Sequence, residues 1–206
     1  MKLYLSINSP YARKVRVVAH ELGVHGKLSM LEVDPRDSNT GLWEINPLGK
    51  IPALVTNDET VIYDSPVICE YLNEVEGGGG LLPKETEKGW KVRTLVALGD
   101  GVMDAGMAVR MENMRPETER SATWKEKQLA TAQRGMDAME RLLPEYENRV
   151  NLGSICVACT IAWLLHRHGE QNWLSDRSSL AAWFERFSRR ESMLQTIPGR
   201  PLVCTE

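Results

Sequence analysis

The sequence predicts an α+β N-terminal domain followed by an all-α helical domain. Three observations carry that prediction. Runs of β-type residues are confined to residues 3–63. Ser-Pro pairs at 9–10 and 65–66 each open a stretch of helical periodicity, a capping residue followed by proline at the first helical position. Beyond Glu85, apolar residues recur only at helical spacing. With 206 residues, the chain can bury one large core or two small ones.

Leu3-Tyr4-Leu5-Ser6-Ile7 reads as the first strand, with Asn8 leading out of it. Ser9 and Pro10 then open a helix in which Val15, Val18, Ala19 and Leu22 fall on one side, with Arg13, Lys14, Arg16 and His20 on others. Gly23 is the expected stop. Leu28 to Val33 reads as a second strand, so strand, helix and strand imply a right-handed parallel crossover. Residues 34–50 are rich in Asp, Asn, Gly and Pro, with a short helical turn around Leu42-Trp43-Glu44. Pro52–Val55 and Thr60–Tyr63 flank Thr56-Asn57-Asp58-Glu59 as a hairpin. Ser65-Pro66 opens a helix to about Val75, and Gly77 to Gly80 break the chain. A βαβ unit followed by ββα is a thioredoxin-like layout. The expected boundaries are a thioredoxin-like domain at 1–80, a linker at 81–88 and an all-helical domain at 89–206.

In the second part, a long helix is expected from Thr86 to Met114, ending before Arg115-Pro116. Thr123-Trp124-Lys125-Glu126 has capping-box spacing and precedes the stripe Leu129, Ala132, Met136, Met139, Leu142 and Tyr146. A helix from about Ser154 to His168 is apolar nearly all round and belongs at the centre of this domain. Leu180, Trp183, Phe184 and Phe187 mark another near the end.

Composition narrows the function classes. The chain is 42% hydrophobic and 26% charged, with net charge −3, and has no basic stripe for a nucleic acid or an anionic membrane. The N-terminus lacks a signal-peptide pattern, and the near-apolar stretch from Ile155 to Leu165 is too short to span a bilayer. A cytoplasmic protein with neither nucleic-acid nor membrane partners is therefore expected. Cys156-Val157-Ala158-Cys159 has redox or metal spacing, but it lies in an apolar helical run without a second cysteine pair or a histidine cluster. It reads as two small buried thiols, as does Cys69, and no metal is expected. Cys204 completes the set.

Several motifs carry a likeness to a known family. Leu48-Gly49-Lys50-Ile51-Pro52-Ala53-Leu54 after Asn46-Pro47, followed by Tyr63-Asp64-Ser65-Pro66-Val67-Ile68, resembles the paired signature of glutathione S-transferases. Ser9-Pro10-Tyr11-Ala12-Arg13-Lys14-Val15-Arg16 is similar to the start of the first helix in their serine-type bacterial cytosolic members. Leu180-Ala181-Ala182-Trp183-Phe184-Glu185-Arg186-Phe187 is similar to their C-terminal helix. One feature departs from the pattern. The family's counterpart of the helix from Ser154 commonly opens with Ser or Thr and has Asp three residues on, where this chain has Val157.

The resemblance implies glutathione as cosubstrate, a small apolar electrophile as second substrate and a homodimer. Glutathione presents an extended backbone, a thiol and carboxylates at both ends, so its site needs a backbone edge and anion donors. A cis Ile51–Pro52 bond would offer the Ile51 N–H and C=O to the ligand; the alternative is a trans proline limiting an edge strand. Asp64 and Ser65 are expected to hold the γ-glutamyl end, against the alternatives of a solvated turn residue and a helix cap. Lys50 is a candidate for the glycyl carboxylate or a surface lysine.

Ser9 is the candidate for stabilising the thiolate, the nucleophilic form of the sulfur. A free thiol titrates at about 8.5, and lowering that by two units takes about 2.7 kcal/mol. One hydroxyl hydrogen bond to an anion supplies roughly 1.5–3 kcal/mol, and a partly buried helix N-terminus up to about 2 kcal/mol. Helix capping is the competing role, with Ser6 and Asn8 as alternative thiolate donors. Met103, Met107 and Met111, with Arg110 beside them, are candidates for the electrophile site; a core or a dimer seam would use the same methionine stripe. The implied activity is conjugation of the glutathione thiolate. Glutathione-dependent isomerisation, dehalogenation or ether cleavage, or non-enzymatic binding and regulation, are the alternatives on the same fold.

Overall fold

The computed structural model describes residues 1–199 and 202. Cys204 and the last residues of the expected helical domain lie outside them. The chain forms two compact units, one made of Met1–Lys84 with the segment from Arg189 onward, the other of Glu85–Ser188.

The first unit contains a four-stranded sheet in the order β2-β1-β3-β4. Strand β1 (Lys2–Leu5) runs parallel to β2 (Ser29–Glu32) and antiparallel to β3 (Ala53–Val55), which forms a hairpin with β4 (Val61–Ile62). Leu3 and Leu5 of the central strand are wholly buried, while Lys2 and Tyr4 alternate with them. Helix α1 (Pro10–Glu21) provides the crossover, with Ser9 as N-cap and Val15, Val18 and Ala19 in the core. After the short α2 (Leu42–Ile45), α3 (Ser65–Tyr71) continues into a π-helical turn at Leu72–Glu76. This is the expected βαβ–ββα arrangement, with strands trimmed by a residue or two.

Two features of this unit are absent from the sequence expectation. Arg13, Lys14 and Arg16, which the periodicity sets on faces other than the apolar one, are all buried. The covering element is the C-terminal segment with α8 (Glu191–Leu194), which packs on α1 and so belongs to this unit instead of the helical domain expected at 89–206. Buried charge is tolerated where hydrogen bonds satisfy it, and Arg13 and Arg16 both donate to carbonyls of that segment.

The second unit contains α4 (Thr86–Met114), α5 (Ala122–Tyr146), α6 (Leu152–Arg167) and α7 (Ser178–Ser188). Its centre is α6, buried continuously from Leu152 to Ile161. Gly99 and Gly106 of α4 face α6: an added Cβ would stand 2.6 Å from Cys156 Sγ or 2.7 Å from the Trp163 ring. Two caps are displaced from the expected positions. Ser121, not Thr123, caps α5, its Oγ accepting from Trp124 N–H at 3.2 Å. Helix α6 opens on a complete box one turn before the expected one, with Asn151 and Ser154 exchanging backbone-to-side-chain bonds of 2.9 Å each. The cap of α6 is therefore complete without an acid at Val157. No described helix is long and apolar enough to cross a membrane.

Candidate functional site

The turn leaving β1 folds on itself before α1 begins. Ser9 N–H donates to Ser6 C=O at 3.0 Å, and Asn8 N–H to Ser6 Oγ at 3.4 Å. Ser9 Oγ accepts from Ala12 N–H at 3.3 Å, a side-chain N-cap. That bond uses a lone pair. A serine hydroxyl also has a proton to give, so capping α1 leaves Ser9 able to donate to an anion, and the two expected roles are compatible. One turn into the same helix, the Arg13 guanidinium donates to Met193 C=O at 3.1 Å and Thr196 Oγ1 at 3.4 Å.

The approach to β3 is pegged by Asn46, which is 1% exposed. Its Nδ2 donates to Lys50 C=O at 2.8 Å, while Oδ1 accepts from Leu48 N–H at 3.1 Å. Gly49 donates to Asn46 C=O at 2.8 Å with φ of 60°, the left-handed region that glycine enters without penalty. Sequence reasoning gave Asn46 no role of its own; its position before Pro47 in a turn-rich stretch was the available signal. The Ile51–Pro52 bond is cis, as expected. Among the described residues no hydrogen bond engages the Ile51 backbone, and Lys50 is exposed without an ionic partner.

The start of α3 assigns two adjacent residues to different tasks. Asp64, which follows a cis peptide bond from Tyr63, is the N-cap and accepts from Ser65 N–H through its carboxylate. Ser65 is the first helical residue, so it does not fill the capping role its position before Pro66 suggested. Its Oγ is buried with no hydrogen-bond partner, and the residue is 1% exposed. Burying a hydroxyl unpaired costs about 1–3 kcal/mol. A ligand acceptor or donor at that point would remove the penalty, and the exposed Asp64 carboxylate next to it suits an ammonium.

The methionine stripe of α4 divides along its length. Met103 is wholly buried in the core of the second unit, which removes it as a surface contact. Met107 and Arg110 are half-buried, and Met111 is 51% exposed. Arg110 lies close enough to Arg167 and His168 to depress their pKa values, after burial as the main cause. Among the described residues there is no group of three or more His, Cys, Asp or Glu able to hold a metal ion.

Residues 8–75 match the family profile described as glutathione S-transferase, N-terminal domain, and residues 122–186 its C-terminal domain. An uncharacterized GST-like protein, YibF of Escherichia coli (strain K12), is 33% identical over 203 residues, covering 97% of this chain and 100% of its own length. The chain belongs to the glutathione S-transferase family. A glutathione transferase family member from Pseudomonas fluorescens Pf-5, solved with bound glutathione, superposes with a TM-score of 0.92 at 36% identity, over 98% of this chain and 99% of that one. A stringent starvation protein A homolog of Haemophilus influenzae is 28% identical over 198 residues, covering 96% of this chain and 90% of the homolog. Ser9, Ile51, Asp64 and Ser65 all fall in the stretch matched by the family's N-terminal profile and in the first compact unit.

Proposed function

We propose that this family member binds glutathione on its first unit and transfers the thiolate to a small apolar electrophile. The observation that carries the reading is the buried, unpartnered Ser65 Oγ beside the exposed Asp64 carboxylate. A hydroxyl left unpaired in the protein alone is understandable where a ligand completes it. In this reading the Ser65 hydroxyl and the Val67 N–H receive the γ-glutamyl carboxylate, Asp64 the adjacent ammonium, and the Ile51 backbone pairs with the cysteinyl peptide. Pro52 keeps Ile51 at the head of β3, and Lys50 reaches for the glycyl carboxylate.

Ser9 then faces the sulfur. The thiol proton leaves to solvent, and the thiolate accepts the Ser9 hydroxyl while the cap on Ala12 holds that hydroxyl in place. With an aryl halide, sulfur forms a bond to the ring carbon and the halide departs with the bonding pair. Met107, Arg110 and Met111 are assigned to the electrophile, with Met103 excluded by its burial. The family resemblance also supports a homodimer, which sedimentation over a range of concentrations would reveal; a persistent monomer would end that part of the reading.

Retention on immobilised glutathione, followed by a conjugation assay with an aryl halide, tests the whole. Retention and turnover together support it, and loss of both overturns the site. Retention without turnover supports a second reading, a non-enzymatic glutathione-binding or regulatory protein on the same fold.

A further inference from the structure

Helix α1 has two jobs in the proposed function: its N-cap carries Ser9, and its body fixes where that cap sits. The body is held from an unexpected direction. Arg13 is only 6% exposed and Thr196 not at all. Arg13 Nη2 donates to Met193 C=O at 3.1 Å, and Nε donates to Thr196 Oγ1 at 3.4 Å. Thr196 Oγ1 in turn donates to Ser192 C=O at 2.8 Å. One turn further along, Arg16 Nη2 donates to Gln195 C=O at 3.4 Å. At the far end of α1, Glu21 takes a two-pronged contact from Arg190 at 2.8 and 2.7 Å, and the Ser192 hydroxyl donates to the same carboxylate.

The Arg13 contact is the one that matters for chemistry. Arg13 N–H bonds to Ser9 C=O at 2.9 Å, and Ala12 N–H bonds to Ser9 Oγ. The turn that presents the Ser9 hydroxyl is therefore the turn whose side chain is clamped by residues 193 and 196. We propose that the C-terminal segment is a positioning element of the thiol-activating turn, with Arg13 and Thr196 as its positioning residues. The inference rests on the assignment of Ser9 to the glutathione sulfur. Their side-chain bonds run to the C-terminal segment, and in this proposal they act by fixing the direction of one hydroxyl. Misplacing a reacting group by 1 Å costs about 10²-fold in rate, so loosening one support of that turn belongs below that figure.

The test is Thr196→Val in the full chain, which keeps the volume and removes the hydroxyl between Arg13 and Ser192. Two quantities are read: the thiolate ultraviolet absorbance of bound glutathione against pH, and kcat and KM for conjugation. The expected result is a bound thiol that titrates at higher pH and a kcat lowered roughly 3–10-fold, within the limit set by a 1 Å misplacement, with KM for glutathione little changed. Thr196→Ser, which retains the hydroxyl, should restore both. Ser192→Ala loosens the far end of α1 and should lower the thermal midpoint while leaving the thiol titration where it was. If Thr196→Val does not fold, Arg13→Lys carries the test with the same expected shift.

Wild-type protein separates the two ways of failing. Wild type that binds glutathione with a lowered thiol titration, beside a folded Thr196→Val protein with the same titration, overturns this inference alone. Equal shifts in Thr196→Val and Ser192→Ala overturn it too, since general loosening would then explain both. Wild type that leaves the thiol at its free value overturns the assignment of Ser9 and this inference with it.

Discussion

Ser9 and Ser65 carry the same hydroxyl in opposite circumstances, one already bonded to a backbone amide and one buried with nothing to bond. Their substitutions should therefore behave differently. Ser65→Ala removes an unsatisfied group, so the ligand-free protein should be as stable as wild type or more stable by about 1 kcal/mol. Glutathione affinity should nevertheless fall by roughly 10–100-fold, the loss of one hydrogen bond to a charged group. Thermal unfolding and calorimetric titration of one sample check both signs. At Ser9, aspartate keeps a good cap but sets a like charge beside the sulfur. Ser9→Asp should stay folded, with bound thiol titrating at higher pH and conjugation slowed; a stable variant with unchanged titration would return Ser9 to capping alone. The residue types of the candidate site were legible in the sequence because each sits in a short local motif. The distribution of tasks between Asp64 and Ser65 was not, since a one-residue change in where α3 starts decides which of them caps it. Met103 misled for a related reason: helical spacing places it on a face but does not say how deep that stretch of face lies.

Close approach is the rule between α4 and α6. Gly99 and Gly106, seven residues apart, lie on one face of α4 and let the Cys156 and Trp163 side chains reach its backbone. Gly106→Ala gains about 1 kcal/mol of helix propensity. It also forces a methyl to 2.7 Å from a Trp163 ring that is itself 1% exposed and to 3.0 Å from Leu164. Overpacking of that kind costs about 1–3 kcal/mol, so net destabilisation is expected, measurable as a lower urea midpoint at unchanged slope. Gly101→Ala on the same helix meets no atom within 4 Å and should stabilise. The bounds of α4 could be read from the sequence, since Arg115-Pro116 marks its end. Its glycines could not be interpreted there, because a glycine that admits a neighbour and one that merely weakens a helix look alike until the neighbour is known. The caps of α5 and α6 slipped for a similar reason: several Ser, Thr and Asn residues stand near each start, and tertiary packing selects among them.

At the scale of the molecule, the bond between α1 and the segment after α7 is the part that local pattern could not reveal. Glu21 and Arg190 are 169 positions apart, and nothing in either neighbourhood announces the other. Burial raises the Glu21 pKa, but the hydrogen bonds from Arg190 and Ser192 outweigh it, and the net shift is downward from 4.5. A depressed carboxylate contributes stability that is present above pH 4.5 and is lost as pH falls through the lowered value. Glu21→Gln should therefore cost about 1–2 kcal/mol at pH 7, between exposed and buried ion pairs because Arg190 is partly open to solvent. Urea unfolding should show the gap to wild type narrowing at pH 3.5; a gap independent of pH would mean the carboxylate charge is not what matters. The same long-range closure also sets an order in biosynthesis. The sheet and α1 emerge from the ribosome ahead of the helical unit, yet the residues that cover Arg13 and meet Glu21 are translated only after it. At roughly 5–20 residues per second, the buried arginines of α1 wait about 9–36 seconds for their covering. During that interval the nascent first unit carries a solvated cationic helix face, and it acquires its final form only after the whole helical unit has been made.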